Sequence, residues 1–418
     1  MTRLRALVVV TGSELVRGER TDRNGPFLAR ELLARGLEPA RITVVGDAED
    51  ELEQALGEGL EADLLVTSGG LGPTHDDRTV ELLARASGRA LRVDEELHRA
   101  IEAVSRSVAE RLRRPYADFE PGVQKQASLP DGAVSVGLAG TAPGLVLEHE
   151  GSVVVVLPGP PGELRRMWAA ALESAPMRAL LARARPPGRR VLRFYGASES
   201  AIAGALEAAG GEPPGVQATI CARDFEIHVD LVVDPGAEAA ADELERALSA
   251  PVERWLFARD ERPIEEHVLE LCRARGLTLS TAESCTGGLV SERLTRVPGS
   301  SAVFQGAIVA YGNEVKETQL GVPRELLERH GAVSREVAEA MAAGARARLG
   351  TDVAVSVTGV AGPGGGTPEK PVGLVYVAAT APDAARTIDF SYPSDRASIR
   401  SRAAVAALHL VRRVLTQS

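Results

Sequence analysis

Short Val-rich apolar runs alternate along the chain with longer stretches whose apolar residues recur every three or four positions. The runs 4–10 (LRALVVV), 41–46 (RITVVG) and 63–68 (DLLVTS) predict buried strands, and the stretches at about 22–35 and 49–61 predict amphipathic helices between them. A helical pattern at about 94–113, an unbroken apolar run at 152–157 (SVVVVL) and a helix opening after PGPPGE (158–163) extend the series. Strands without polar alternation, separated by helices, indicate a parallel sheet covered on both faces. The first expected domain is therefore a doubly wound α/β unit over 1–176.

The stretch 183–190 (RARPPGRR) reads as a linker. Beyond it, VLRFYG, a helix-like SESAIAGALEAAG and the alternating FEIHVDLVV predict a small α+β module over 184–258. RNA-binding modules of this size carry a GxxG loop, which this segment lacks, so it reads as a spacer or interface domain. From 259 to 418 a second α/β unit is expected. Its helices fall at about 264–275, 288–296, 334–349 and 395–415, and its apolar runs at 277–282, 302–312, 352–359 and 372–380.

Composition narrows the function classes. The 418 residues exceed one ordinary core, and 44% are apolar but only 3% aromatic, so bases stacked on aromatic platforms are not expected. A net charge of −10, with both signs interspersed, disfavours non-specific nucleic-acid binding. Cys221, Cys272 and Cys285 form no CxxC pair, which fits a reducing cytoplasm better than a zinc site or a disulfide framework. The N-terminal apolar run is too short for a membrane span and has no signal-peptide cleavage site. A cytoplasmic protein acting on small molecules is expected, with no membrane partner.

Three segments of the last unit carry candidate chemistry. In TAESCTGG (281–288), Ser284, Cys285 and Thr286 precede Gly287 and Gly288 between a strand and a helix start. Such a turn suits a phosphate or carboxylate, or is a tight turn with Ser284 as a helix cap. A Cys285 thiolate at the helix start is a further candidate nucleophile. In VPGSSAVFQGAIVAYGNEVK (297–316), Ser300 and Ser301 leave a Pro-Gly turn, and Tyr311, Asn313 and Lys316 follow. No histidine lies in 268–329, so a serine nucleophile here needs a lysine base with a depressed pKa; otherwise Ser301 is a cap and Lys316 a surface charge. In SVTGVAGPGGG (356–366), Thr358 ends a strand and glycines including Gly362 let the backbone wrap a small ligand. Arg396 and Arg400, one turn apart on the final helix, make a phosphate clamp or a solvated face.

Taken together, AESCTGG, VPGSS, YGNEVK, HGAVS, VTGVAGPGG, EKPVGLVYVA and SDRASIR, with TSGGLGPTHDD, KQA, GTAPG and LPGPPGE upstream, resemble the CinA (competence/damage-inducible protein A) family over nearly the whole chain. The resemblance implies a molybdopterin-binding-like first domain and a C-terminal nicotinamide-nucleotide amidohydrolase that converts nicotinamide mononucleotide to nicotinic acid mononucleotide and ammonia. It implies Ser301 as nucleophile, Lys316 as general base, Tyr311 as assistant, and Thr358 at the oxyanion or the amide. Ser284, Gly287, Gly288, Asn313 and Gly362 would line the substrate, with Arg400, or else Arg396, meeting it. No cofactor is expected there, and a homodimer is.

For the first domain the resemblance implies a metal-dependent ADP-ribose pyrophosphatase. Gly69, Gly70 and Gly72 would approach a phosphate, and Asp76, Asp77 and Glu14 would hold a divalent cation such as Mg2+. Two positions depart from the family pattern near that edge: Gly137 stands where an asparagine is usual, and Gly162 where a serine is usual. The competing expectation is a non-catalytic nucleotide- or pterin-binding accessory protein linked to competence.

Overall fold

The unbroken apolar runs become strands wherever both faces of a sheet are covered. The computed structural model describes residues 3–416. Its first unit spans Met1–Gly188 with Val233–Glu238. There β1 (Leu4–Thr11), β2 (Leu37–Val45) and β3 (Leu64–Ser68) are followed by a short pair, β4 (Leu91–Val93) and β5 (Ser128–Pro130), and then by β6 (Val134–Ala139), β7 (Ala142–His149) and β8 (Ser152–Leu157). The main sheet runs β2-β1-β3-β8-β7-β6. Neighbours from β2 to β8 are parallel, and β7 and β6 are added antiparallel. All six residues of β8 are buried, as expected of a strand between two helix layers. Helix Glu49–Leu60 buries Leu52, Ala55, Leu56 and Gly59, the three-and-four spacing read from its sequence. The carboxyl ends of β1, β2, β3 and β8 share one edge, where the loops at 12–14, 46–47, 69–73 and 158–161 gather.

The second unit spans Arg189–Val232 with Ala239–Ser418. The expected middle module is a four-stranded sheet of β9 (Gly188–Phe194), β10 (Val216–Arg223), β11 (Glu226–Val233) and β12 (Leu256–Ala258), in the order β10-β11-β9-β12. This sheet packs within the same unit as the C-terminal strands. Glu226 on β11 is buried and accepts a hydrogen bond from Arg193 on β9, and it lies 2.8 Å from Nε2 of His409 on the last helix. The Tyr195 ring stacks on that imidazole at 3.7 Å between centroids. A carboxylate withdrawn from water requires such partners.

The C-terminal sheet contains β13 (Leu279–Glu283), β14 (Phe304–Val309), β15 (Val353–Gly359), β16 (Leu374–Thr380) and β17 (Ala385–Ser391), ordered β14-β13-β15-β16-β17. The first three are parallel, and the last two are antiparallel additions. Helix Arg396–Thr416 is buried along most of its length and belongs to the main core of the unit. No helix among the described residues is long and apolar enough to cross a membrane.

Candidate active site

The carboxyl end of β13 delivers Ser284. Its N–H continues the sheet by bonding to Val357 O at 2.9 Å, which fixes the residue beside β15. Helix Asn313–Leu320 follows β14 and turns Lys316 inward, so that this lysine is only 1% exposed. Its Nζ lies 3.2 Å from Ser284 Oγ, 2.8 Å from Ala310 O and 3.2 Å from Tyr311 O. No carboxylate pairs with it among these contacts, and burial pushes the amine below its ordinary pKa of 10.5. Two of its partners are carbonyls, which only accept. As an ammonium, Nζ donates to both carbonyls and to Ser284 Oγ; on giving up one proton it keeps the two carbonyls and turns its lone pair to the Ser284 hydroxyl. Lys316 is thus not the surface charge that the sequence alone allowed.

Ser301 occupies a different place. It is exposed, in the short turn Ser300–Ala302 before β14, and its side chain makes no hydrogen bond among the described residues. Leu279 N bonds to Val303 O at the amino end of the sheet, whereas Ala310 N bonds to Glu283 O at the carboxyl end. The six residues of β14 therefore separate Ser301 from Lys316 by about 20 Å, at ~3.3 Å per residue. The expected Ser301–Lys316 pair is not brought together within the chain; Ser284 takes the position beside the lysine.

The glycine loop also differs in what it holds. Glu283, fully buried, accepts from the N–H groups of Gly288 (2.9 Å), Val290 (3.1 Å) and Ser291 (2.9 Å) and from the Ser291 hydroxyl. The start of helix Leu289–Thr295 is therefore already occupied by the chain's own carboxylate, not left open for a phosphate. Gly287 and Gly288, at φ 58° and 95°, let the backbone turn back over Glu283. Sequence reasoning passed over Glu283 although it stands inside the AESCTGG motif; its place directly before Ser284, facing a helix start, was the available signal. Cys285 is 5% exposed and burial pushes its thiol up to about 11, so it is not a thiolate at neutral pH.

The remaining candidates surround this pair. Thr358 donates its hydroxyl to Ala332 O at 2.7 Å and so has no hydrogen for an oxyanion. Arg400 donates from Nε to Cys285 O (3.1 Å) and from Nη2 to Thr286 O (2.6 Å). Arg396 donates to Gly362 O (2.6 Å) and to the Tyr311 hydroxyl (2.9 Å), bridging two segments that carry candidate residues. Tyr311 is exposed, and Asn313 is exposed at the start of its helix.

In the first unit, the sheet's carboxyl edge opens into a cavity of about 610 Å3 whose lining includes Glu14, Asp47, Gly69, Gly70, Asp76 and Asp77. The three glycines serve the chain's own packing first. A Cβ on Gly69 would stand 2.5 Å from Thr11 O, one on Gly70 2.2 Å from Thr79 Oγ1, and one on Gly72 2.3 Å from Asp77 Oδ2. Asp76 and Asp77 both lie against the Thr74 hydroxyl, but no third acidic residue completes a group with them among the described residues. Asp77 accepts from Thr74 N at 3.0 Å, Asp76 bonds to the Thr74 hydroxyl, and among the described residues no group of three His, Cys, Asp or Glu could hold a metal ion. The expected Asp76, Asp77 and Glu14 cation site is thus not assembled. Asp47, missed in the sequence, is held by Ser13 N at 3.1 Å in the same cavity.

Comparison with known proteins agrees with this division. Residues 261–415 match the family described as the CinA C-terminal domain, and residues 7–177 the family described as the probable molybdopterin binding domain. A CinA-like protein of Mycobacterium tuberculosis is 42% identical over 422 residues, covering 99% of this chain and 97% of its own length. One from Mycolicibacterium gilvum is 42% identical over 425 residues, covering 99% of each. The crystal structure of competence/damage inducible protein CihA from Agrobacterium tumefaciens is similar to 38% of this chain and 99% of its own, at 42% identity and a TM-score of 0.36. With two family domains in order and full-length relatives at this identity, the chain belongs to the CinA family.

Proposed function

We propose that the C-terminal domain hydrolyses the carboxamide of nicotinamide mononucleotide, giving nicotinic acid mononucleotide and ammonia, with Ser284 as nucleophile and Lys316 as base. The observation that carries this reading is the 3.2 Å contact between Lys316 Nζ and Ser284 Oγ, in a buried setting where the lysine has no acidic partner among its contacts. The substrate follows from the family resemblance.

Lys316 takes the Ser284 hydroxyl proton as Oγ bonds to the amide carbon. The tetrahedral intermediate collapses, the C–N bond breaks, and the lysine returns the proton to the departing ammonia. Water then attacks the ester, giving its proton to Lys316, and the C–O bond to Ser284 breaks as the hydroxyl is restored. The substrate's pyridinium draws electron density from the amide carbonyl and assists both attacks. Ammonia release from nicotinamide mononucleotide by the purified protein, lost in Ser284→Ala, tests the reading; a folded wild-type protein that releases none favours a nucleotide-binding accessory role.

For the first domain, the cavity at the sheet edge supports binding of a phosphorylated small molecule such as ADP-ribose. Asp76 and Asp77 meet at the Thr74 hydroxyl without Glu14, and this arrangement gives no support to a metal-dependent cleavage step.

A further inference from the structure

We infer that the backbone N–H groups of Cys285 and Thr286 form the oxyanion hole of the Ser284 reaction, and that Arg400 is the positioning residue that aims and polarises the Thr286 N–H. The inference rests on Ser284 being the nucleophile.

Every other N–H along this loop is committed. Ser284 N donates to Val357 O (2.9 Å), Gly287 N to Ser284 O (3.1 Å), Gly288 N to Glu283 (2.9 Å) and Leu289 N to Thr286 O (3.3 Å). The N–H groups of Cys285 and Thr286 have no oxygen acceptor among the described residues, although the two residues are 5% and 0% exposed, and the Cys285 N–H meets only its own Sγ. Buried backbone donors without oxygen acceptors are rare and costly, and two in a row directly after the serine give a developing alkoxide the donors it needs. The Thr286 hydroxyl is also buried without a partner.

Arg400 supplies the second half of the arrangement. Its guanidinium grips the carbonyls of these same two residues, Cys285 O at 3.1 Å and Thr286 O at 2.6 Å. In a planar trans peptide the C=O and the following N–H point in opposite directions. A cation on Cys285 O therefore leaves Thr286 N–H facing away from Arg400, and draws electron density out of it. With Nε and Nη2 so engaged, Arg400 acts on the loop and not as the phosphate clamp that the sequence suggested. The Thr358 hydroxyl, donated to Ala332 O, leaves the backbone pair as the oxyanion donors.

Arg400→Ala and Arg400→Lys, assayed on nicotinamide mononucleotide and on nicotinamide riboside, which lacks the phosphate, separate the two roles. Loop positioning predicts that the alanine variant loses about 10- to 100-fold in kcat by the same factor on both amides, with KM nearly constant and partial rescue by lysine. A rise in KM confined to the phosphorylated substrate overturns it. Because a variant can misfold, the wild-type protein supplies a second measurement with pyridine-3-boronic acid as probe. A tetrahedral adduct on Ser284 should move the amide-proton resonances of Cys285 and Thr286 downfield; no adduct, or an adduct that leaves both resonances in place, overturns the inference. Failure of the wild type to turn over either amide counts against deamidation, while the boronate result still decides the oxyanion hole.

Discussion

Ser301 and Lys316 stand at opposite ends of β14, whereas Ser284 and Lys316 meet at 3.2 Å across the carboxyl ends of β13 and β14. The two serines are therefore separable by mutation. Ser284→Ala should lower kcat for deamidation by at least ~10³-fold, the scale seen on removing a covalent nucleophile, while Ser301→Ala stays within about threefold of wild type. Steady-state ammonia release checks both, and the opposite ranking contradicts the geometry.

Lys316 predicts a pH dependence of definite sign. Burial lowers its pKa, and only the free amine accepts the serine proton, so kcat should rise with pH through a midpoint below the ordinary 10.5. Lys316→Arg, which stays protonated, should remove at least ~10²-fold of the rate together with that rising limb. A rate that falls over the same interval would show that the protonated lysine is the active form.

The thiols should differ in reactivity. Cys285 is buried with its thiol pushed up to about 11, and Cys272 is buried with its thiol pushed up to about 12; Cys221 is partly exposed. Iodoacetamide at neutral pH should modify Cys221 first, read by mass spectrometry of the peptides. Rapid modification of Cys285 would return the thiolate to contention.

The link between the middle sheet and the last helix should weaken in mild acid. Burial lowers His409 from 6.5 to about 4, so the unfolded chain binds a proton that the folded chain refuses. Stability is therefore full above about pH 6.5 and falls as pH drops toward 4. Glu226, lowered to about 2 despite its burial by the hydrogen bonds and charges around it, adds a loss only below about pH 4.5. Urea midpoints at pH 7 and pH 5 check the His409 contribution: wild type should lose more stability between them than His409→Gln does.

The central parallel strands were legible because a strand covered on both faces reads as a near-continuous apolar run, as SVVVVL does in β8. Of the antiparallel additions only β16 was, as the run 372–380. β17 is an edge strand whose residues are half-buried or exposed, so no apolar run marks it, and β6 and β7 are joined through GTAPG, whose glycines and proline read as a loop. At the candidate site the sequence marked the serine and lysine types and the segments that hold them, and the structure brings Ser284, not Ser301, beside Lys316. The sequence did not reveal that β14 places a whole strand length between Ser301 and Lys316, because that follows from strand direction and register. Nor did it reveal that Glu283 fills the start of the following helix, since only the folded turn of Gly287 and Gly288 brings that carboxylate back.

The most direct test of the proposed chemistry is the site of acylation. Protein quenched in acid during turnover of nicotinamide mononucleotide, then digested and mapped by fragmentation mass spectrometry, should carry the acyl mass of the substrate less ammonia on Ser284 itself. The same mass on the peptide containing Ser301, or on Cys285, would contradict the account.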